Sequence, residues 1–287
     1  MILFNKMSIH IKFTIVFLAY FICLPGRNIA QDLRDKEHTQ RFADYLFLSG
    51  QYPLASEEYE RLVYLDSVSE YSKLKLLQSY RLAGKPGNSI KRLQLFYGDS
   101  LQFLKNDFAE EYVKNLILEK ENDKLFDFLK GNSNLNENSR QNYMLAGLLL
   151  EKDWNKAFNY ALKNPVTNDK KNADLHLIAF KSKQIKYKSP FTASLLSTIV
   201  PGTGKFYTKY WKDGLISMML VGLNAWQSYR GFHKYGSKSA YGWVFGGIAS
   251  GFYIGNVYGS YQSAKKYNRK TDDEMYNNAW HLIVDDF

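Results

Sequence analysis

SAYGWVFGGIASGFYIGNVYGSYQSA, residues 239–264, runs 26 residues without a charged side chain and sets a glycine at every fourth position: Gly247, Gly251, Gly255 and Gly259. A four-residue spacing lines one face of a helix. The stretch therefore predicts a helix with one face stripped to backbone, the geometry by which small residues let helices touch in lipid. Two more charge-free stretches, 189–203 and 214–229, precede it. Together they predict that residues 188–265 are where the chain meets a membrane.

The first stretch is short. Residues 189–200 are apolar and end at Pro201; at ~1.5 Å per residue they cover only about 18 Å of a ~30 Å hydrocarbon core, so they are expected to re-enter or to lie at the interface. Pro201-Gly202-Thr203-Gly204 forces a turn, and Tyr207, Tyr210 and Trp211 sit where interfacial aromatics belong. From Trp211 to Tyr229 a helix of about 28 Å is long enough to span, with Lys212 snorkelling. The loop 230–238 carries Arg230, Lys234 and Lys238, which favour the cytoplasmic side. The four ladder glycines are expected to face a partner helix, either 214–229 with Gly222 open to close approach or a second copy of the chain. Gly202-Thr203-Gly204-Lys205 has the look of a nucleotide-binding loop, but that loop needs a glycine where Ile199 stands and Ser or Thr where Phe206 stands, with a strand before it.

Upstream, Lys6, His10 and Lys12, the apolar run 13–24 and Asn28-Ile29-Ala30 form an export signal with cleavage expected after Ala30; an uncleaved anchor is the alternative. Cys23 is the only cysteine and lies inside this segment, so the mature chain offers no disulfide, no thiol nucleophile and no cysteine-ligated metal.

From about 38 to 165 apolar residues recur three and four apart, which predicts helices throughout. Gly50-Gln51-Tyr52, with Ala55 and Tyr59, is answered 34 residues later by Gly84-Lys85-Pro86 with Ser89 and Leu93, and again at Lys152-Asp153-Trp154 with Ala157 and Ala161. Glu121-Asn122-Asp123 with Phe126 reads as a degraded fourth match, out of register by three. A 34-residue period is that of the tetratricopeptide repeat, in which a turn joins two antiparallel helices, an aromatic anchors the second, and a small residue lets them approach. The segment 31–188 thus resembles a tetratricopeptide array of about four repeats; an aperiodic bundle is the alternative. Such arrays imply binding through a concave surface rather than catalysis.

The hairpin region also resembles a family of uncharacterised bacterial envelope proteins that carry a Pro-Gly-x-Gly-x-x-Tyr turn followed by Trp and Gly. The matching residues are Pro201, Gly202, Gly204, Tyr207, Trp211 and Gly214, within about 189–267; Lys205 stands where Gln is common. The resemblance implies a membrane location.

The 287 residues are 45% apolar and 16% aromatic, with a net charge of +10 that falls to +7 without Lys6, Lys12 and Arg27. The cations are spread along the chain or flank the apolar stretches, a pattern of membrane proteins rather than of nucleic-acid binders. The histidines of the mature chain are scattered, and no nucleophile elbow or metal-ligand spacing appears, so no catalytic, cofactor or metal residue is assigned. The expectation is an all-α chain of four parts: signal 1–30, repeat domain 31–188, glycine-rich transmembrane hairpin 189–267 and tail 268–287. Its function would be that of a non-enzymatic scaffold in the bacterial inner membrane, with the repeats in the periplasm holding an envelope protein or peptide. A transport or insertion subunit that oligomerises through the glycine ladder is the alternative.

Overall fold

The computed structural model of the chain describes residues 35–166 and 169–285, and the export segment with Cys23 lies outside them. Every regular element among the described residues is helical. In order they are α1 (Lys36–Leu48), α2 (Tyr52–Leu65), α3 (Glu70–Leu82), α4 (Pro86–Tyr97), a 3-10 helix (Gly98–Phe103), α5 (Asn106–Leu118), α6 (Asn122–Gly131), α7 (Glu137–Leu150), α8 (Trp154–Lys163), α9 (Lys170–Ser182), α10 (Pro190–Ile199), α11 (Thr203–Tyr207), α12 (Trp211–Tyr235) and α13 (Ala240–Val284). The all-α expectation is thereby met. The chain divides into two compact units, Met1–Ala83 and Gly84–Phe287.

In the first unit α2 packs on both α1 and α3. Ala43, Leu46, Ala55, Tyr59, Leu62, Leu76 and Leu77 are buried between them, and burying each large side chain contributes about 1.5–3 kcal/mol. Asp35 starts α1 by accepting from the His38 amide at 2.8 Å. Phe47 meets the Tyr52 ring edge-on at 5.5 Å, which is how the aromatic after the turn holds α2 against α1.

The helices alternate with a regular period. The first helix of each pair begins at 36, 70, 106 and 137, and α9 follows at 170; the second begins at 52, 86, 122 and 154. The residue two before each second helix lies in the left-handed region: Gly50 (φ 75°), Gly84 (71°), Lys120 (59°) and Lys152 (59°). Glycine adopts this conformation without steric cost, whereas lysine does so at about 1–2 kcal/mol. Five residues on, Ala55, Ser89 and Ala157 are fully buried, and in the third pair the position is taken by Leu125, also fully buried. The third turn is therefore Lys120-Glu121-Asn122, one residue earlier than the sequence reading placed it, because a lysine occupies the position that glycine marks elsewhere.

In the second unit the 45 residues of α13 extend about 67 Å. This helix packs against α10, α11 and α12 and also against α7 and α9. The separate tail expected from residue 268 is in fact the last turns of α13. Ala279 and Ile283 are buried, Trp154 Nε1 and Tyr187 OH both donate to Asp272 at 2.9 and 2.6 Å, and Lys152 pairs with Asp273 at 2.7 Å. Burial, reinforced by the hydrogen bond to Asp272, pushes the Tyr187 phenol up to about 12. Asn268 closes the join by exchanging two hydrogen bonds with the Lys188 backbone, 2.8 and 3.0 Å.

Candidate functional site

The module formed by α10, α11, α12 and the first half of α13 has its polarity turned inside out. The inward line of α12 is Gly214, Ser217, Val221, Ser228 and Gly231, and that of α13 is Gly242, Ala249, Asn256, Ser260 and Ala264, all but Val221 small or polar. The large apolar side chains point outward: Ile216, Met219, Leu223, Val244 and Ile254 are 56, 62, 57, 58 and 68% exposed. Phe191, Leu195 and Ile199 of α10 are at least half exposed as well. An ordinary core would have the reverse arrangement.

The inward polar groups satisfy one another and the turn. Ser197 and Ser260 share a hydrogen bond of 2.6 Å. The Gly204 amide donates to Ser197 Oγ at 2.9 Å and the Gly202 amide to Asn256 Oδ1 at 3.1 Å. Thr203 Oγ1 donates to the Leu196 carbonyl at 2.6 Å, and Thr208 and Ser263 hydroxyls lie 2.8 Å apart. Further along, Ser228 Oγ donates to the Gly242 carbonyl at 2.8 Å. At the turn Gly202 is buried and bonded to Asn256, and the Val200 carbonyl accepts from Thr203, while Val200 itself is exposed.

The turn motif is assembled as a unit around α10. Gly202 adopts φ 92°, and a Cβ there would run into the Gly214 carbonyl; at Gly204 it would overlap the Ala193 carbonyl and come within 2.7 Å of Ser197 Oγ. Tyr207 OH accepts from the Ser189 amide at 3.2 Å while Lys188 lies 4.6 Å over its ring, so this tyrosine pins the start of α10. Pro201 is half-buried, and Trp211 is exposed under Lys212 at 5.7 Å.

The glycine ladder is placed elsewhere than expected. Gly247, Gly251 and Gly255 are exposed, and a Cβ on any of them would meet nothing within 4 Å; at Gly259 it would meet Lys205 Cε at 3.4 Å. Gly222 is equally open. Close approach of α12 and α13 falls instead on Gly231 and Gly242, where an added Cβ at Gly231 would lie 2.8 Å from the Gly242 backbone, and on Gly246, where it would lie 2.9 Å from Ser228 Oγ. The reason is register: Gly247 follows the packed Gly246 by one position, and Gly255 and Gly259 each precede a buried residue, Asn256 and Ser260, by one, so the ladder is rotated out of the seam. Within the chain, the ladder is not the contact between α12 and α13.

Cations stacked on aromatics gather at two levels of the module. At one end lie Lys188 over Tyr207, Lys209 over Tyr267 at 5.8 Å, Lys212 over Trp211 and Lys266 over Tyr210 at 5.4 Å. At the other lie Arg230 over Trp226 at 5.0 Å and Lys234 over Tyr235 at 5.2 Å. Lys212 and Arg230 are about 27 Å apart along α12 at ~1.5 Å per residue, and residues 214–229 between them are uncharged. No helix of the described residues is by itself long and apolar enough to cross a membrane.

In the repeat turns, Gly50, Tyr52, Ala55 and Tyr59 come together in the first unit, and Tyr59 donates to Asp44 at 2.5 Å. Asp153 caps α8 by accepting from the Lys156 amide at 3.0 Å, while Trp154 reaches across to α13 instead of into its own repeat. Gly84 and Ser89 open α4. Lys120, Leu125 and Asp272 were missed by the sequence reading; the only signal for Lys120 was the helical period itself. Among the described residues no group of three or more His, Cys, Asp or Glu side chains is placed to hold a metal ion. No protein-family profile, curated protein or solved structure matches this chain.

Proposed function

We propose that the chain is a non-enzymatic, membrane-anchored scaffold of the bacterial envelope, whose C-terminal hairpin sits in the inner membrane and whose tetratricopeptide-like array, on the periplasmic side, holds an envelope protein or peptide. The observation that carries this reading is the inverted polarity of the hairpin: buried hydroxyls and amides, outward aliphatics, and cation-aromatic belts about 27 Å apart along α12, close to the ~30 Å of a hydrocarbon core. Polar backbone at membrane depth is tolerated where protein encloses it, and the buried Gly202 amide, bonded to Asn256, fits that reading. The array and the C-terminal end of α13 then lie on one side, with the basic loop at Arg230, Lys234 and Lys238 on the other, as the positive-inside tendency favours. The long α13 couples the two parts.

A second reading, a subunit of a transport or insertion assembly, is favoured by one observation: the ladder face of Gly247, Gly251 and Gly255 is left uncovered and would suit a second copy. Stoichiometry separates the two, since a scaffold works as a monomer and a pore must self-associate. The membrane reading is tested by alkaline carbonate extraction of cells producing the full chain. The protein is expected in the pellet; recovery in the soluble periplasmic fraction would overturn it.

A further inference from the structure

Lys205 is the one cation placed within the hairpin's inward-facing layer. It is half-buried, and its ammonium donates to Ser217 Oγ at 2.6 Å. Among the described residues no carboxylate lies within ion-pair distance of it. Ser217 is five residues past Lys212, so the ammonium sits about 7 Å inside the basic belt along α12. An ionisable group at such a depth marks a functional site in membrane proteins.

Beside it is a cavity of about 190 Å³ whose lining includes Lys205, Ser217, Asn256, Phe252, Gly251 and Gly255. The glycines that touch nothing are part of what keeps this space open, since any larger side chain at 251 or 255 would project into it. Donors outnumber acceptors there. An ammonium has three hydrogens and gives one to Ser217; the Asn256 amide has two and gives one to the Ser197 carbonyl. The space is below the ~300 Å³ of typical whole-ligand pockets but holds a single oxyanion group, and the exposed Leu220, Leu223 and Ile248 continue from it as an apolar surface.

The geometry points to an anion site: the cavity takes the phosphate of an anionic phospholipid on Lys205 and Asn256, with the acyl chains lying on the outer face of α12 and α13. This site rests on the membrane reading above. The phosphate chemistry would also suit inorganic phosphate, and the test separates the two sources.

The full chain, purified in a neutral maltoside detergent, is titrated with phosphatidylglycerol, phosphatidylcholine or inorganic phosphate, and binding is read by native mass spectrometry and by the rise in melting temperature. Phosphatidylglycerol is expected to bind and stabilise the native chain and K205R. Lys205→Gln should weaken it about tenfold or more, the size of one lost charge-assisted contact, and Gly255→Leu should weaken it by filling the space. Gly247→Leu, on the ladder but outside the cavity, should leave it unchanged and serves as the folding control. Equal stabilisation by inorganic phosphate would support the anion site and assign it to the free ion. Phosphatidylcholine binding as well as phosphatidylglycerol, or K205Q retaining full affinity, would overturn the site. Flotation of the same proteins on phosphatidylcholine vesicles keeps the two readings apart: native protein that fails to float refutes the membrane reading, while protein that floats but shows no phosphatidylglycerol preference in the titration refutes the anion site alone.

Discussion

Alanine substitutions at glycines of the hairpin should split into two groups of opposite sign. At Gly251 an added Cβ meets nothing within 4 Å, and alanine exceeds glycine in a helix interior by about 0.5–1 kcal/mol, so Gly251→Ala should stabilise by that amount. At Gly204 the same methyl overlaps the Ala193 carbonyl and crowds Ser197 Oγ at 2.7 Å; prising α10 from α11 costs about 1–3 kcal/mol as overpacking. Gly202→Ala adds the left-handed penalty of about 1–2 kcal/mol at φ 92°, for a loss of about 2–5 kcal/mol in all. A unit of this size shifts about 2–4 °C per kcal/mol. Thermal melts of the detergent-solubilised chain, followed by helix circular dichroism, should therefore rise by about 1–4 °C for Gly251→Ala and fall by about 4 °C or more for Gly202→Ala. A drop at Gly251→Ala equal to that at Gly204→Ala would show that the ladder face is covered after all, and the assignment of the seam to Gly231, Gly242 and Gly246 would fail.

Other outcomes follow from the repeat unit and its junction. Leu125→Ala, at a fully buried position, should cost about 2–5 kcal/mol in urea unfolding, where a loss under 1 kcal/mol would remove Leu125 from the third helix pair's core. Asp272→Ala takes the acceptor from both Trp154 and Tyr187; a loss of about 1–2 kcal/mol should appear as faster hydrogen exchange over residues 270–284, and unchanged exchange would mean that α13 is held without it. Burial holds the His176 imidazole below its ordinary value of 6.5, so the neutral form is the one the fold favours: the associated stability is present above about pH 6.5 and is lost as pH falls through the folded value. His176→Leu should flatten that acid limb in urea midpoints measured from pH 7.5 to 5, and an identical limb in the variant would assign it to other groups.

The helices and their period were legible because apolar spacing of three and four is set by the chain's own geometry, and three of the four turns advertise themselves by Gly50, Gly84 or the Asp153-Trp154 pair. Lys120 was not, since a lysine in the left-handed region carries no local mark. The turn motif was legible as a cluster, for Gly202, Gly204 and Gly214 are small where backbones of α10, α11 and α12 meet. The ladder misled for a physical reason. Spacing identifies a face but not what lies against it, and on α13 the face carrying Gly247, Gly251 and Gly255 is open while the adjacent one, with Ala249, Asn256 and Ser260, is packed. The continuity of α13 past residue 267 was hidden because its charged stretch resembles a tail until Asp272, Asp273 and Ile283 are seen against α7, α8 and α9.

The central claim, that the outward aliphatics of the hairpin face lipid, is tested most directly by spin labels. Single cysteines would be placed at Ile216, Met219, Leu223 and Ile254, in a Cys23→Ser chain reconstituted into phospholipid vesicles. Collision with dissolved oxygen is expected to exceed collision with a water-soluble nickel chelate at all four sites. Chelate collisions dominating there would put those side chains in water and contradict the account.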